Sequence, residues 1–407
     1  MHQVSAKMLI FAAKIRNMDT ILLTTMMEQL RHVPDSFHRY MYDILPWQEQ
    51  LVGLVGPRGI GKSTLMLQYV KAHQQDFNIL YVNADHSYFL THTLLETASQ
   101  FYREGGQHLL IDEIHKYPGW SRQLKNIYDS IPGLRVTFTG SSVLDIKKGE
   151  ADLSRRALMH TMQGLSYREY LAIFHGLSVA TLSLDDILAG RSNEIVGHRP
   201  LERFNHYLHS GYYPLKQDEF FSKRLEQVIE QTLEVDIPQY ANLNAAMGRK
   251  LRQMLVIIAE SVPFKPSNDS IANALHISRN AVPHLLMLLE DANMISQLRD
   301  DTSGIRRLGK TEKIYLDNTN LAYALSNQSA NLGNVRETFF MNQLRATHTV
   351  SASRVSDFTV NGHTFEIGGH NKGKKQVADL PNAYIVRDDT DYAIGNILPL
   401  WAFGLMY

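Results

Sequence analysis

Eight consecutive residues carry the clearest chemistry in the chain: Gly56-Pro57-Arg58-Gly59-Ile60-Gly61-Lys62-Ser63, followed by Thr64. They fit G-x-x-x-x-G-K-[ST], a pattern that average composition produces by chance in about one chain of this length in a hundred. Glycines let the backbone curl so that successive N–H groups face an anion. The lysine at this spacing reaches the β- and γ-phosphates of a nucleotide, and the Ser63 hydroxyl suits a Mg2+ ion. The run Leu109-Leu110-Ile111-Asp112-Glu113 supplies the complementary half. Asp112, at the end of a buried strand, can hold Mg2+ through water, and Glu113 can orient and polarise the attacking water.

Two further positions belong to the same chemistry. Residues 135–142, RVTFTGSS, read as a buried strand ending in small polar residues, where a hydroxyl can sense the γ-phosphate. Ser141 is the expected sensor, with Ser142 or Thr139 as alternatives. Arg155 and Arg156 follow in DLSRRA. An arginine here can neutralise transition-state charge in its own site or a neighbour's, or pair on the surface with Asp152.

The elements that must position these residues are visible as apolar runs at 51–55, 78–82, 108–111 and 135–139, with helical patterns at 63–72 and 121–131. Short buried runs separated by helices predict an α/β fold with a parallel sheet and crossover helices. The glycine-rich loop follows the first strand and opens the first helix, as its chemistry requires. Residues 166–260 read as mostly helical, with breaks at Gly190, at 211–214 and at Pro238. Residues 250–316 read as helix, helix, turn, helix and β-ribbon. A helix at 334–347 and strands at 358–360, 363–367 and 383–386 complete the chain, and Asn361-Gly362 signals a hairpin.

The chain has 407 residues, enough for two to three domains. Lys plus Arg and Asp plus Glu both number 41, which excludes a globally basic nucleic-acid coat and an acidic tail. Cysteine is absent, which excludes disulfides, Cys-type zinc sites and thiol nucleophiles, and fits a cytoplasmic location. No stretch approaches the ~18 apolar residues of a membrane span, so no membrane partner is expected. The short apolar run at 8–13, followed by Lys14 and Arg16, reads as a leader or short helix, and Met18 is an alternative start to Met1.

The stretches GPRGIGKSTLMLQY (56–69), LLIDEIHKYPGW (109–120), FTGSSVLDI (138–146), ADLSRRA (151–157), GLSYREYL (164–171) and GYYP (211–214) together resemble one family. It is a bacterial and archaeal family of AAA-type P-loop ATPases with a winged-helix segment and a C-terminal restriction-endonuclease-like segment. The resemblance covers nearly the whole chain beyond residue 30. It implies the strand order of AAA proteins, ATP rather than GTP as the nucleotide, Mg2+ as its companion, an arginine-finger role for Arg156, and a ring or dimer. It implies no particular substrate. The expected division is a leader at 1–30, the ATPase domain at 31–168, a helical region at 169–248, a winged helix at 249–317 and an endonuclease-like α/β domain at 318–407, expected to be a degenerate, structural version of the nuclease.

The C-terminal half carries weaker signals. Residues 267–292 resemble a helix-turn-helix, with Ile271, Leu275, Ile277, Val282 and Leu286 as its small core. The ribbon after it carries Arg299, Arg306, Arg307, Lys310 and Lys313 against Asp300, Asp301 and Glu312, an excess that could meet duplex DNA phosphates. A protein partner is the other expectation. In the family, Asp357 and Glu366 resemble the acidic pair of a D…E-x-K nuclease site, a second metal position. The lysine of that pattern is missing, because residue 368 is Gly; Lys372, Lys374 or Lys375 are the substitutes within reach along the chain. The expected function is Mg-dependent ATP binding and hydrolysis coupled to C-terminal DNA- or protein-binding modules. A nucleotide-gated switch with little turnover and an ATP-regulated nuclease are the alternatives. His115, just after the acidic pair, is expected on a helix surface, with a place near the γ-phosphate as the alternative.

Overall fold

The computed structural model describes residues 20–76, 78–140, 153–260, 267–300, 310–326, 330–369 and 380–407. The chain divides into two compact units, Met1–Met162 and Gln163–Tyr407. The division falls at the end of the last strand of the first unit, a few residues before the expected boundary at 168.

In the first unit, helix α1 (Thr20–His32) buries Leu22, Leu23, Met26 and Leu30, the spacing of one helical face. Strands β1 (Leu51–Val55), β2 (Ile79–Asn83), β3 (His108–Asp112), β4 (Arg135–Gly140) and β5 (Leu158–Thr161) form one sheet in the order β2-β3-β4-β1-β5. Every pairing is parallel. Helices α2 (Lys62–His73), α3 (Leu94–Arg103) and α4 (Trp120–Ser130) are the crossovers. Strands covered on both faces read as near-continuous apolar runs, and β1 and β3 are buried at all five positions, β3 with polar residues only at its ends, His108 and Asp112. Gly53 is part of that packing: a Cβ there would fall 2.4 Å from the Met159 sulfur and 2.7 Å from the Phe138 ring. The strand order places β4 between β1 and β3, so the loops leaving β1 and β3 face the same crevice at the carboxyl end of the sheet.

The second unit begins with α5 (Tyr167–His175), capped by the Ser166–Glu169 capping box. After further helices come α6 (Ala245–Glu260), α7 (Asn268–Leu275) and α8 (Val282–Asp291), then the antiparallel ribbon β6 (Ile295–Arg299) and β7 (Thr311–Leu316). Helices α9 (Thr319–Leu325) and α10 (Leu332–Leu344) lead to a mixed sheet ordered β12-β11-β10-β9-β8. Its strands are β8 (Ser351–Ala352), β9 (Phe358–Val360), β10 (His363–Gly368), β11 (Ala383–Arg387) and β12 (Ile397–Pro399). Asn361 and Gly362, with φ of 49° and 80°, make the hairpin turn between β9 and β10. Among the described residues no helix is long and apolar enough to cross a membrane.

Candidate functional site

The loop after β1 is shaped by its glycines. Gly56 has φ of 152°, and a Cβ on it would meet the Met162 carbonyl oxygen at 2.3 Å. Only a residue without a side chain fits that approach. Gly61, with φ of 95°, caps α2, so the loop runs directly into the helix N-terminus, where backbone N–H groups and the helix dipole favour an anion. Ile60 is wholly buried and anchors the loop to the core; Ser63 and Thr64 are half-buried. Arg39, buried and well upstream in sequence, donates to the Ile60 carbonyl and braces the loop from outside.

The Lys62 side chain is 5% exposed and folds back over the loop. Its ammonium donates to the carbonyls of Gly56 at 2.8 Å and Pro57 at 2.7 Å. Burial pushes its pKa down to about 8, against the opposing pull of the Glu113 and Asp112 carboxylates, with Arg58 adding to the fall. Lys62, Asp112 and Glu113 thus lie within one electrostatic neighbourhood.

Asp112 ends β3 and is 2% exposed. A buried carboxylate requires donors, and two neighbouring strands provide them. The Tyr81 hydroxyl, from β2, donates to Asp112 Oδ2 at 2.6 Å. The Thr139 hydroxyl, from β4, donates to Oδ1. Burial first, and the Asp112 charge second, raise the Tyr81 hydroxyl well above its ordinary range, so it stays a donor. Glu113 turns out of the strand at φ 50°, a left-handed conformation uncommon for a non-glycine residue. Its N–H is shared by Asp112 Oδ1 at 3.0 Å and Thr139 Oγ1 at 3.3 Å, which fixes that turn. The expected surface position of His115 is incorrect: its side chain is 4% exposed, with Nε2 3.5 Å from Glu113 Oε2. The short 3-10 turn Ile114–Lys116 turns the ring inward beside the glutamate.

The structure therefore brings Gly56 to Thr64, Asp112 and Glu113 to one end of the sheet. Of the three hydroxyls considered for the sensor position, Thr139 is in contact with Asp112, whereas Ser141 and Ser142 lie outside the described residues. Arg156 is not brought to the phosphate loop of its own chain. It makes a two-pronged ion pair with Asp129, at 2.9 and 3.1 Å. Asp129 sits at the end of α4, next to Tyr128, whose carbonyl accepts from Gln50 just before β1. That is the amino end of the strands, opposite the loop that follows Val55. Tyr81, Arg39 and Thr139 complete the site. The hydroxyl of Tyr81, inside the apolar run that precedes Asn83 in ILYVN, is the signal in the sequence of a polar neighbour.

In the second unit, the described cations of the ribbon have carboxylate partners, as does Arg279 at the turn of the helix-turn-helix. Arg279 pairs with Asp269 at 3.3 Å, Arg299 with Glu290 at 2.6 Å and Lys310 with Glu312 at 3.0 Å. Lys313 lies 3.0 Å from Asp357 and 3.2 Å from Glu337. Arg306, Arg307, Lys372, Lys374 and Lys375 lie outside the described residues. Asp357 and Glu366 do share one neighbourhood, bridged by Ser356 and the Ile367 N–H. Among the described residues no group of three or more His, Cys, Asp or Glu side chains is placed to hold a metal ion.

Residues 48–171 match the family model of an AAA domain, and residues 201–332 match that of a domain of unknown function, DUF8612. The uncharacterised protein MJ1637 of Methanocaldococcus jannaschii is 25% identical over 305 residues, 68% of this chain. The match spans 64% of the length of that relative. Among solved structures, the Walker-type ATPase PABY2304 of Pyrococcus abyssi aligns at 14% identity and a TM-score of 0.38, over 68% of this chain and 91% of that one. AMPPCP-bound DnaA of Aquifex aeolicus aligns at 12% identity and a TM-score of 0.27, over 67% and 88%. The match over 48–171 and the parallel sheet of the first unit identify an AAA-type P-loop ATPase fold there.

Proposed function

We propose that the first unit binds ATP with Mg2+ and hydrolyses it, and that the nucleotide state governs how the second unit engages a partner. The observation that carries this reading is the convergence of the glycine loop, Lys62, Asp112 and Glu113 at one end of the sheet. The donor set suits the ligand: loop N–H groups and an ammonium for phosphate oxygens, and a hydroxyl and a carboxylate for a hard divalent cation. In this reading Lys62 leaves the Gly56 and Pro57 carbonyls for the β- and γ-phosphates. Ser63 and Asp112 hold Mg2+, which when bound neutralises charge on the phosphate oxygens. Glu113 orients and polarises the attacking water, and Thr139 links the Asp112 carboxylate to the Glu113 backbone. Arg156, held at the opposite end of the sheet by Asp129, serves as a finger only for a neighbouring copy.

Tyr81 acts on this chemistry through Asp112, as a positioning residue. Removing a hydrogen-bond partner of a metal-binding carboxylate costs roughly 10–100-fold in metal affinity. Tyr81→Phe should raise the Mg2+ concentration for half-maximal ATP binding by about tenfold, and should lower the melting temperature of the nucleotide-free protein by a few degrees, because the buried Asp112 loses a donor. A Mg2+ titration of fluorescent ATP-analogue binding reads this out, and an unshifted midpoint removes Tyr81 from the site.

For the second unit, the helix-turn-helix and ribbon support a winged-helix module. The pairing of Arg279, Arg299, Lys310 and Lys313 with carboxylates favours a protein partner over duplex DNA. Phosphate release measured with and without duplex DNA, across a salt series, tests this choice. Release that DNA leaves unchanged supports a protein partner. A rise of about tenfold, worth about 1.4 kcal/mol of barrier, that fades steeply with salt makes DNA the partner instead.

A further inference from the structure

The C-terminal acidic residues are surrounded by donors from the chain itself. Asp357, in the turn before β9, accepts the Lys313 ammonium on Oδ1 at 3.0 Å and the Ile367 N–H on Oδ2 at 3.0 Å. Glu337, from the middle of α10, accepts the same ammonium at 3.2 Å and the Tyr315 hydroxyl at 2.6 Å, both on Oε2. Glu366, on β10 and 4% exposed, accepts the Ser356 hydroxyl. Lys313 and Tyr315 come from β7, so the lysine ties the ribbon to a helix and to the C-terminal sheet.

We propose that the Lys313 ammonium is the resident cation of the Glu337–Asp357 pair, standing in place of a divalent metal, and that the C-terminal sheet is a metal-free module clamped to β7. A divalent ion between these two carboxylates would have to take the place of the Lys313 ammonium, which lies 3.0 Å from Asp357 and 3.2 Å from Glu337. Charge points the same way, because the ammonium supplies between the two carboxylates the positive charge that a metal would bring. The sequence pattern agrees: the nuclease-like motif lacks its own lysine at Gly368, and a lysine from a different element fills the acidic pocket. The phosphodiester chemistry of a two-carboxylate metal site is then excluded by an occupant built into the fold.

The test uses the full-length chain without nucleotide, so that the phosphate loop brings no metal requirement, and Mn2+ as the probe. Wild-type protein should show no paramagnetic-resonance signature of Mn2+ binding that Asp357→Asn removes, and its melting temperature should not respond to Mn2+. Lys313→Met leaves buried carboxylates without their cation and should melt lower by about 5–10 °C. Mn2+ should then restore part of that loss. The double variant Lys313→Met/Glu337→Gln should melt above Lys313→Met, because the uncompensated charge is reduced. Wild-type binding of Mn2+ that is lost in Asp357→Asn overturns the proposal, as does Mn2+-dependent DNA nicking lost in the same variant. A folded Lys313→Met protein that gains nothing from Mn2+ also overturns it. Should Lys313→Met fail to fold, the comparison of wild type with Asp357→Asn decides alone: binding refutes, and its absence supports.

Discussion

Glu113→Gln protein should bind ATP with near-wild-type affinity and release phosphate roughly 10²–10⁴-fold more slowly, the range that general-base contributions span. The substitution keeps the shape of the side chain and the backbone anchorage of residue 113 on Asp112 and Thr139. It removes only the basic carboxylate. The uncommon φ of 50° at this position shows that the fold spends conformational strain to turn this side chain out of the strand. A rapid-quench measurement of product formed on the protein, beside equilibrium binding of a fluorescent ATP analogue, separates the two effects. Turnover unchanged in the variant would assign the water-activating role to another group, and the buried His115 at 3.5 Å from Glu113 would be the first to consider.

Arg345→Met should cost the second unit about 3–5 kcal/mol, the loss expected when one partner of a buried ion pair is removed. Arg345 donates to Asp317 Oδ1 at 2.7 Å, and the Asp317 side chain has no exposed surface. The guanidinium also reaches Gln163 at 3.2 Å and the Ser296 hydroxyl. Burial pushes the Asp317 carboxyl above its ordinary range, and Arg345 is the main force holding it down. Without the arginine, the folded-state pKa of Asp317 rises further above the unfolded value. The folded variant then binds the extra proton, so its penalty is largest above that raised pKa and shrinks as pH falls. Urea unfolding of wild type and variant at neutral and mildly acid pH reads both the size and the sign. A loss below about 1 kcal/mol, or one that grows toward acid, would show that the pair does not carry this load. Arg345→Met/Asp317→Leu should recover much of the stability, since replacing both charges removes the unpaired one.

Legibility in the sequence followed locality. The glycine-rich loop and Asp112-Glu113 stand out in the sequence because each is a run of adjacent residues with a fixed spacing. Strands β1 to β3 could be read because burial on both faces leaves nearly continuous apolar runs, and β4 because its residues are β-branched and aromatic. Strand β5 could not: its edge position leaves Leu158 and Thr161 exposed, and LMHT carries no apolar pattern. The Asn-Gly turn announced its hairpin because two successive positive φ angles select those residues. Contacts between distant segments left no local trace. Arg39 on Ile60, Tyr81 on Asp112 and Lys313 on Glu337 and Asp357 each arise from packing. Lys313 in particular looked like a ribbon cation available for phosphates, because its two carboxylate partners lie far downstream in sequence.

The central claim is that the first unit turns over ATP at its phosphate loop. It is tested most directly by steady-state phosphate release from ATP with Mg2+, using wild-type and Lys62→Ala proteins prepared in parallel. The account predicts release by the wild type that Mg2+ chelation abolishes, and neither nucleotide binding nor release by Lys62→Ala. Equal release by the two proteins, or tight ATP binding that survives the loss of Lys62, would contradict it.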